Sequence, residues 1–368
     1  MTARLLFQRL SIRSLRNLTA VDFEAAPRVN VVAGDNGQGK TSLLEAIYLL
    51  ATSRSFRTER ARELIQDGAE FAASRGVVQE SSSTREQSAV LTANGRRLQI
   101  DGKSPRSVSA YATRTPVVVF HPGDLHLVSG AAAVRRTLLD RVALYSEPAS
   151  GEDRRRYLRA LRERQKILEE RGPAAPDLEP FEQVAATHGA RLAAAHERAA
   201  EDLVAALQEA FRRMAPGSTE LEAHYAPAGS NDVCQAAQRL RESRPVDLRR
   251  RRATFGPHRD DIELRIDGRS ARQHASQGQQ RILALALKMA ELDCVRAARD
   301  AHPVLLLDDV SSELDPARTG AVYDFIRKSA SQVFVTTTRP ELFTTAEIGP
   351  HERTDWFVAA GTLKSTSS

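Results

Sequence analysis

The octapeptide Gly34-Asp35-Asn36-Gly37-Gln38-Gly39-Lys40-Thr41 limits what this chain can fold into more than any other feature. It satisfies the pattern G-x-x-x-x-G-K-[ST] at every fixed position. Its flanks are of the kind the pattern needs. Val29-Asn30-Val31-Val32-Ala33 predicts a strand leading in, and Leu43, Leu44, Ile47 and Leu50 predict an amphipathic helix over 42–51 leading out. A strand, a glycine-rich turn and a helix N-terminus bring backbone amides from Gly34 to Ser42 and the positive end of the helix dipole onto one anion-sized point. Lys40 is then expected to reach the β- and γ-phosphates of a nucleotide, and Thr41 to ligate Mg2+.

A second element belongs with this loop. Val304-Leu305-Leu306-Leu307-Asp308-Asp309 is an apolar run ending in two carboxylates, which is how a buried parallel strand delivers acids to the carboxyl edge of a sheet. Asp308 is expected to hold Mg2+, directly or through water, and Asp309 to polarise the attacking water as the catalytic residue. A third element, Ser276-Gln277-Gly278-Gln279-Gln280, opens the most apolar helix of the chain. Ser276 with Gln279 fits a capping box, which alone accounts for both residues. The same helix N-terminus, with a hydroxyl and a side-chain-free Gly278, also suits a second phosphate site. One nucleotide cannot readily fill both sites of one subunit, so the second reading implies a dimer around the nucleotide.

Around these motifs the chain reads as two kinds of structure. Residues 4–13 and 20–24 predict strands about an Arg16-Asn17 turn, and Asn94-Gly95 between alternating runs predicts a hairpin. Composition shifts near 150. Tyr157, Leu158, Leu161 and Leu168, then Val184, Leu192, Leu203, Leu207, Phe211 and Met214, form stripes of two long amphipathic helices. The breaker cluster 172–177 joins them, which predicts an antiparallel helical arm. From 260 onward strands at 262–266, 304–307 and 333–336 alternate with helices at 277–299 and 316–329, an α/β pattern resuming after an insertion. The expected domains are 1–145, 146–248 for the arm, and 249–368.

The three motifs in this order, with Ser311-Ser312-Glu313-Leu314-Asp315 after the acids, resemble the ABC-type ATPase head. Within that superfamily Leu15-Arg16-Asn17-Leu18, Arg135-Arg136-Thr137-Leu138-Leu139-Asp140 and Gly256-Pro257-His258-Arg259-Asp260-Asp261 narrow the resemblance to the RecF family of bacterial DNA repair and replication proteins. The resemblance runs from about 5 to 345. It implies an α/β fold, an ABC-type P-loop ATPase head with an inserted helical arm. It also implies that ATP and Mg2+ are the cofactors, that Arg16 and Asp315 join the nucleotide site with Ser276, Gln277, Gly278 and Gln279, and that a homodimer clamps double-stranded, single-stranded or gapped DNA. RecR and RecO are the implied partners, with RecA loaded as the result. No Gln stands at an obvious Q-loop position near 120–127, and Thr336-Thr337-Thr338 replace the switch His of transporters, so a slow, switch-like ATPase is expected. A transporter subunit would need both of those residues, and an SMC-like tether would need a far longer coiled coil.

Composition adds little. No apolar run approaches the roughly 18 to 20 residues of a membrane span, and the N-terminus lacks a signal-peptide pattern, so a cytoplasmic protein is expected. Cys234 and Cys294, without His or Cys at ligand spacing, read as reduced, buried thiols. A net charge of +6 permits a polyanionic partner without requiring one. Arg249, Arg250, Arg251 and Arg252 form either a solvated charge run or a contact to the DNA backbone. His258-Arg259-Asp260 reads as a turn feeding the strand at Ile262, since three consecutive side chains diverge.

Overall fold

The computed structural model describes residues 3–215, 219–309, 330–338, 349 and 351–365. The chain divides into two compact units, Met1–Gly123 with Val295–Ser368, and Asp124–Cys294.

The first unit begins with strand β1 (Ala3–Leu15), which runs against β2 (Leu18–Glu24) with Leu10 opposite Phe23 and Ile12 opposite Val21. Arg16, at φ 55°, makes the turn between them. A register shift between Phe7 and Arg9 breaks the alternation of β1 and turns both Phe7 and Leu10 into the core. After β3 (Val29–Ala33) and helix α1 (Lys40–Thr52), an antiparallel meander of β4 (Phe71–Glu80), β5 (Ser83–Thr92) and β6 (Gly95–Ile100) continues the sheet of β1. The Asn94-Gly95 hairpin is present, with Thr92 opposite Gly95. Helix α2 (Val108–Ala112) leads to the short buried strand β7 (Val117–Phe120).

The second unit is mainly helical. It contains α3 (His126–Ser129), α4 (Ala132–Ser146), the long pair α5 (Ser150–Arg171) and α6 (Leu178–Met214), strand β8 (Leu221–Ala226), and helices α7 (Val233–Glu242) and α8 (Arg244–Arg250). Asp153 meets His188 and Arg164 meets Glu182, so α5 and α6 are antiparallel, as the breaker cluster between them predicts. Val184 is a correction, being 42% exposed. Near its start the buried face of α6 is made of Ala185, Ala186 and Gly189 instead. Small residues there let the helices approach until the Tyr157 ring would lie 3.0 Å from a Cβ on Gly189. Strand β9 (Asp261–Ile266) is a second correction. It does not resume the parallel sheet but is the middle strand of a three-stranded antiparallel sheet with β8 and β10 (Arg269–Ser270), within this unit. Helix α9 (Ala271–His274) follows, and then α10 (Gln277–Arg299), whose bounds are those read from its apolar pattern.

The chain returns to the first unit through β11 (Ala301–His302), β12 (Val304–Asp308), β13 (Gln332–Thr337), β14 (Arg353–Ala359) and β15 (Thr362–Ser365). β11 pairs with β1 in the first sheet, and the other four complete a second sheet in the order β15-β14-β3-β13-β12-β7, parallel throughout except for β15. Every residue of β7, β12 and β13 is buried, which is why these strands read as continuous apolar runs rather than as alternation. Helix α1 packs against β4 and β5 of one sheet and β7, β12 and β13 of the other. All of it but Thr41 is therefore buried, and the amphipathic helix expected from sequence is a core helix. The two sheets are also joined by the buried Gln332, whose amide donates to the carbonyls of Phe7 and Ala26 and accepts from the Phe7 amide at 2.8 Å. The helix expected at 316–329 and the motif 311–315 with Asp315 lie outside the described residues.

Cys294 is buried, and burial pushes its thiol up to about 12, whereas Cys234 is exposed, against expectation. Among the described residues no helix is long and apolar enough to cross a membrane.

The second unit carries its ionic groups inside. Arg164 is completely buried, and its guanidinium donates to Glu182 at 3.0 Å, to Asp247 at 2.8 Å and to the Leu240 carbonyl at 2.5 Å. His196 on α6 lies between Asp260 at 2.9 Å and Asp140 at 3.1 Å. A ring with a carboxylate on each nitrogen donates twice only as imidazolium. Burial opposes that charge, but the hydrogen bonds to Asp140 and Asp260 outweigh it and raise the His196 pKa. Burial likewise opposes ionisation of Asp140, and His196 and Arg154 outweigh it and lower its pKa.

The signs of these shifts set a pH window. The stability contributed by His196 is fully present below the ordinary imidazole value of 6.5 and is lost as pH rises through its raised pKa. The stability contributed by Asp140 is present above the ordinary value of 3.8 and is lost as pH falls through its lowered pKa. His196→Gln should therefore cost most between those two values, by about 3 to 5 kcal/mol, the usual cost of stranding a buried charge. Urea midpoints of both proteins across pH would check this. A difference that stays constant from pH 5 to well above 8 would contradict it.

Candidate functional site

The first unit places the glycine loop and the acids two strands apart on one sheet edge. The loop follows β3, Asp308 ends β12, and β13 runs between them. Register puts Thr336 of β13 beside Val32 on one side and Asp308 on the other. Its hydroxyl donates to Asp308 Oδ1 at 2.8 Å and accepts from the Asp309 amide at 3.0 Å. Thr41 Oγ1, at the start of α1, donates to the same Asp308 oxygen at 2.9 Å.

The loop is shaped by what surrounds it. Gly34 has φ 154°, and a Cβ there would lie 2.4 Å from the Val358 carbonyl oxygen, so the approach of β14 excludes any side chain. The turn between β14 and β15 braces the loop, because the Ala360 amide donates to Gln38 Oε1 and the Gly361 amide to the Gln38 carbonyl. From the other side Asn17 donates to the Gly37 carbonyl at 3.1 Å and accepts from Ser42 Oγ at 2.8 Å. Lys40 is buried, and its ammonium is held inside the loop by the carbonyls of Gly34 at 2.6 Å and Asp35 at 2.9 Å and by Asn36 Oδ1 at 3.5 Å. The amides of the first turn of α1 have no partner one turn back in the helix, so they and Lys40 present a concentrated positive field.

These groups line an open cleft of about 830 Å³, within the usual range of ligand sites. Arg16 lies at its rim, its Nε and Nη2 held by Glu45 at 2.9 and 3.0 Å. The bond to Glu45 raises the Arg16 pKa. Glu45 is completely buried and also accepts from Ser55, with Arg57 at 3.6 Å. Asp309 lines the cleft too. Burial pushes its carboxyl above the usual range, the Asp308 charge adds to this, and Lys40 opposes it. A carboxylate made more basic in this way suits a group that takes a proton from water. The Thr41 hydroxyl and the Asp308 carboxylate, 2.9 Å apart, are hard oxygen donors that fit Mg2+, which keeps phosphate and water ligands besides one or two from protein.

The structure thus brings together Gly34 to Ser42, Arg16, Asp308 and Asp309. Ser276, Gln277, Gly278 and Gln279 belong to the second unit. There the capping box is formed in both directions: the Gln279 amide donates to Ser276 Oγ at 3.2 Å and the Ser276 amide to Gln279 Oε1 at 2.9 Å. Arg249, Arg250, Arg251 and Arg252 are all exposed at the end of α8 and just after it. Three residues that support the loop and the acids carry no local signal in the sequence: Thr336 stands where a transporter has its switch His, Asn17 reads as part of a turn, and Glu45 is a lone acid in an apolar helix whose arginine partners are remote in sequence.

The model for the RecF/RecN/SMC N-terminal domain matches residues 6–351. The DNA replication and repair protein RecF of Anaeromyxobacter sp. (strain Fw109-5) is 39% identical over 339 residues, 89% of this chain and 91% of that protein. A solved structure of the recombination mediator protein RecF with ATP, in the RecFOR pathway, matches at TM-score 0.86 and 28% identity over 99% of this chain and 98% of its own. An Smc head bound to the C-winged helix domain of ScpA matches at TM-score 0.53 and 15% identity over 98% and 97%, a likeness of fold alone.

Thr336→Val should leave the Asp309 amide without its acceptor and Asp308 with one donor fewer. The expected cost is about 1 to 3 kcal/mol of stability, read as a lower urea midpoint, with Thr336→Ser close to wild type. Equal losses in the two variants would mean that shape, not the hydroxyl, matters at this position.

Proposed function

The chain belongs to the RecF family of DNA replication and repair proteins, and from that premise we propose that it is a slow, switch-like ATPase in which ATP closes a homodimer on gapped or junction DNA. Hydrolysis then releases the clamp. The observation that carries this reading is the junction of Thr41 with Asp308 at 2.9 Å, which joins the loop to the acids at one point. Lys40 and the loop amides hold the triphosphate, with Arg16 at the rim. Thr41 and Asp308 would hold Mg2+, which when bound would offset the negative charge of the phosphates. Asp309 orients the attacking water and takes its proton. Thr336, in place of a histidine, leaves no second proton carrier on β13, in keeping with slow turnover.

The dimer rests on Gly278. The capping box accounts for Ser276 and Gln279 but not for the glycine between them. Among the described residues, a Cβ on Gly278 would meet only Ser276 Oγ, at 4.0 Å. Nothing described in its own chain requires a glycine there, whereas a phosphate docking from a partner copy on the amides of α10 does. Asp315 is proposed to join that shared site. RecR and RecO are the proposed partners in the cytoplasm, with loading of RecA as the outcome. Of the run at 249–252, Arg249, Arg250 and Arg251 are proposed to contact DNA phosphates.

Ser276→Arg places a cation where the partner's γ-phosphate should dock. It should bind ATP as a monomer yet neither dimerise nor hydrolyse it, while Lys40→Met should fail to bind ATP at all. Sedimentation with and without ATP reads dimerisation, and equilibrium binding of a labelled ATP separates the two variants. ATP-dependent dimers of the Ser276→Arg protein would return that residue to a purely capping role.

Replacing Arg249, Arg250 and Arg251 with Gln should flatten the salt dependence of duplex affinity by about 0.9 for each phosphate no longer neutralised, with ATP binding unchanged. An unchanged slope at saturating ATP would make these three a solvated face.

A further inference from the structure

Two sequence boxes play no part in the nucleotide site, and the second unit brings them together. Arg135 pairs with Asp261 through two bonds of 2.7 and 2.9 Å. Arg136 donates to the Asp260 carbonyl at 2.8 Å, and Asp140 and Asp260 share His196. Gly256, at φ 128°, lies so close to Tyr157 that a Cβ would sit 1.9 Å from its hydroxyl, and that hydroxyl is bonded to His258 Nδ1 at 2.6 Å. The boxes therefore form one rigid wall. It borders a cleft of about 640 Å³.

Four guanidiniums line this cleft: Arg136 on α4, Arg162 on α5, Arg252 after α8, and Arg259 in the second box. None of them forms an ion pair among the described residues. Their neighbours Arg135, Arg154, Arg155, Arg156 and Arg164 all do. Burial lowers the Arg136 pKa, and Arg259 adds to the effect against three nearby aspartates. The lining of the cleft thus carries four guanidiniums and no carboxylate, and the N-terminal end of α4 at Ala131 to Ala133 contributes its dipole. Its floor is apolar, formed by Leu158 and Leu161.

We propose that this cleft docks an extended acidic segment of another protein, its carboxylates on the four guanidiniums and an apolar side chain on Leu158 and Leu161. Planar guanidiniums match carboxylates in pairs of bonds, and clusters of them are a recurring way to read acidic motifs. The apolar floor separates this occupant from nucleic acid. A phosphate backbone has no group to bury there, and single strands are held by stacking on aromatic rings. The one ring lining the cleft is that of His258, with both nitrogens engaged, by Tyr157 and by the Ala253 carbonyl. DNA is better served by the exposed run at 249–251, outside the cleft.

The test is selection on the full-length protein from a pool of extended peptides about twelve residues long, randomised among Asp, Glu, Leu, Phe and Gly. Acidic peptides with apolar anchors should be recovered. Arg162→Glu and Arg259→Glu, which remove no ion pair among the described residues, should each weaken the recovered peptides by about tenfold or more, and duplex DNA affinity with ATP should stay within about twofold. No recovery from the pool, or recovered peptides that bind both variants as well as wild type, would overturn the proposal. So would loss of DNA affinity with peptide binding unchanged, which would make the cleft a nucleic-acid surface.

Discussion

One hydroxyl turns sheet register into site geometry. Thr336 accepts from the Asp309 amide and donates to Asp308, and Asp308 also accepts from Thr41 at the head of α1. Loop, acids and central strand are thereby fixed to one another through neutral or singly charged hydrogen bonds, each short enough to tolerate little displacement. The parallel order of β3, β13 and β12 makes this possible, because all three strands end on the same edge. A register slip of one residue on β13 would turn Thr336 to the other face and separate the acids from the loop. The continuous apolar runs of these strands, buried on both faces between α1 and the rest of the core, are what hold that register.

Buried charge is handled in the same way throughout. Glu45, Arg164 and His196 are each essentially inaccessible, and each has its polar atoms matched by partners from remote parts of the chain. Such groups add little net stability compared with a well-packed apolar replacement, but losing one partner strands the other. Their value is positional. Glu45 aims Arg16 at the cleft, and Arg164 ties α5 to α6 and α8 through Glu182 and Asp247.

Local patterns in the sequence were enough for the elements that local physics dictates. The glycine loop, the apolar strand ending in Asp308 and Asp309, the Asn94-Gly95 hairpin and the bounds of α10 depend on residues within a few positions of one another. Features that depend on through-space neighbours were not legible. Val184 looks apolar on a helical stripe, yet the partner helix approaches along small residues and leaves it outside. The strand at Asp261–Ile266 alternates like any half-buried strand, and nothing in it says whether its neighbours are β8 and β10 or the central parallel strands. Helix α1 carries the same leucines whether one sheet or two cover it. Thr336, Asn17 and Glu45 share this property, since each acts on partners 20 or more positions away.

The surface shows where the chain expects company. A native structure pairs its buried polar groups, and most of the interior here conforms. At two places the chain's own packing leaves a residue choice or a charge unexplained. Gly278 sits in an open helix N-terminus where alanine would fit and would favour the helix by about 1 kcal/mol. Four arginines surround a cleft without a carboxylate among them, although carboxylates are plentiful on the same helices and pair with the neighbouring arginines. Arg259 opposes the charge of Arg136, and an anion arriving in the cleft would relieve that opposition. A cost carried in the free chain and removed by a ligand is itself differential binding energy, so these two positions are where association should be coupled most strongly to the state of the molecule.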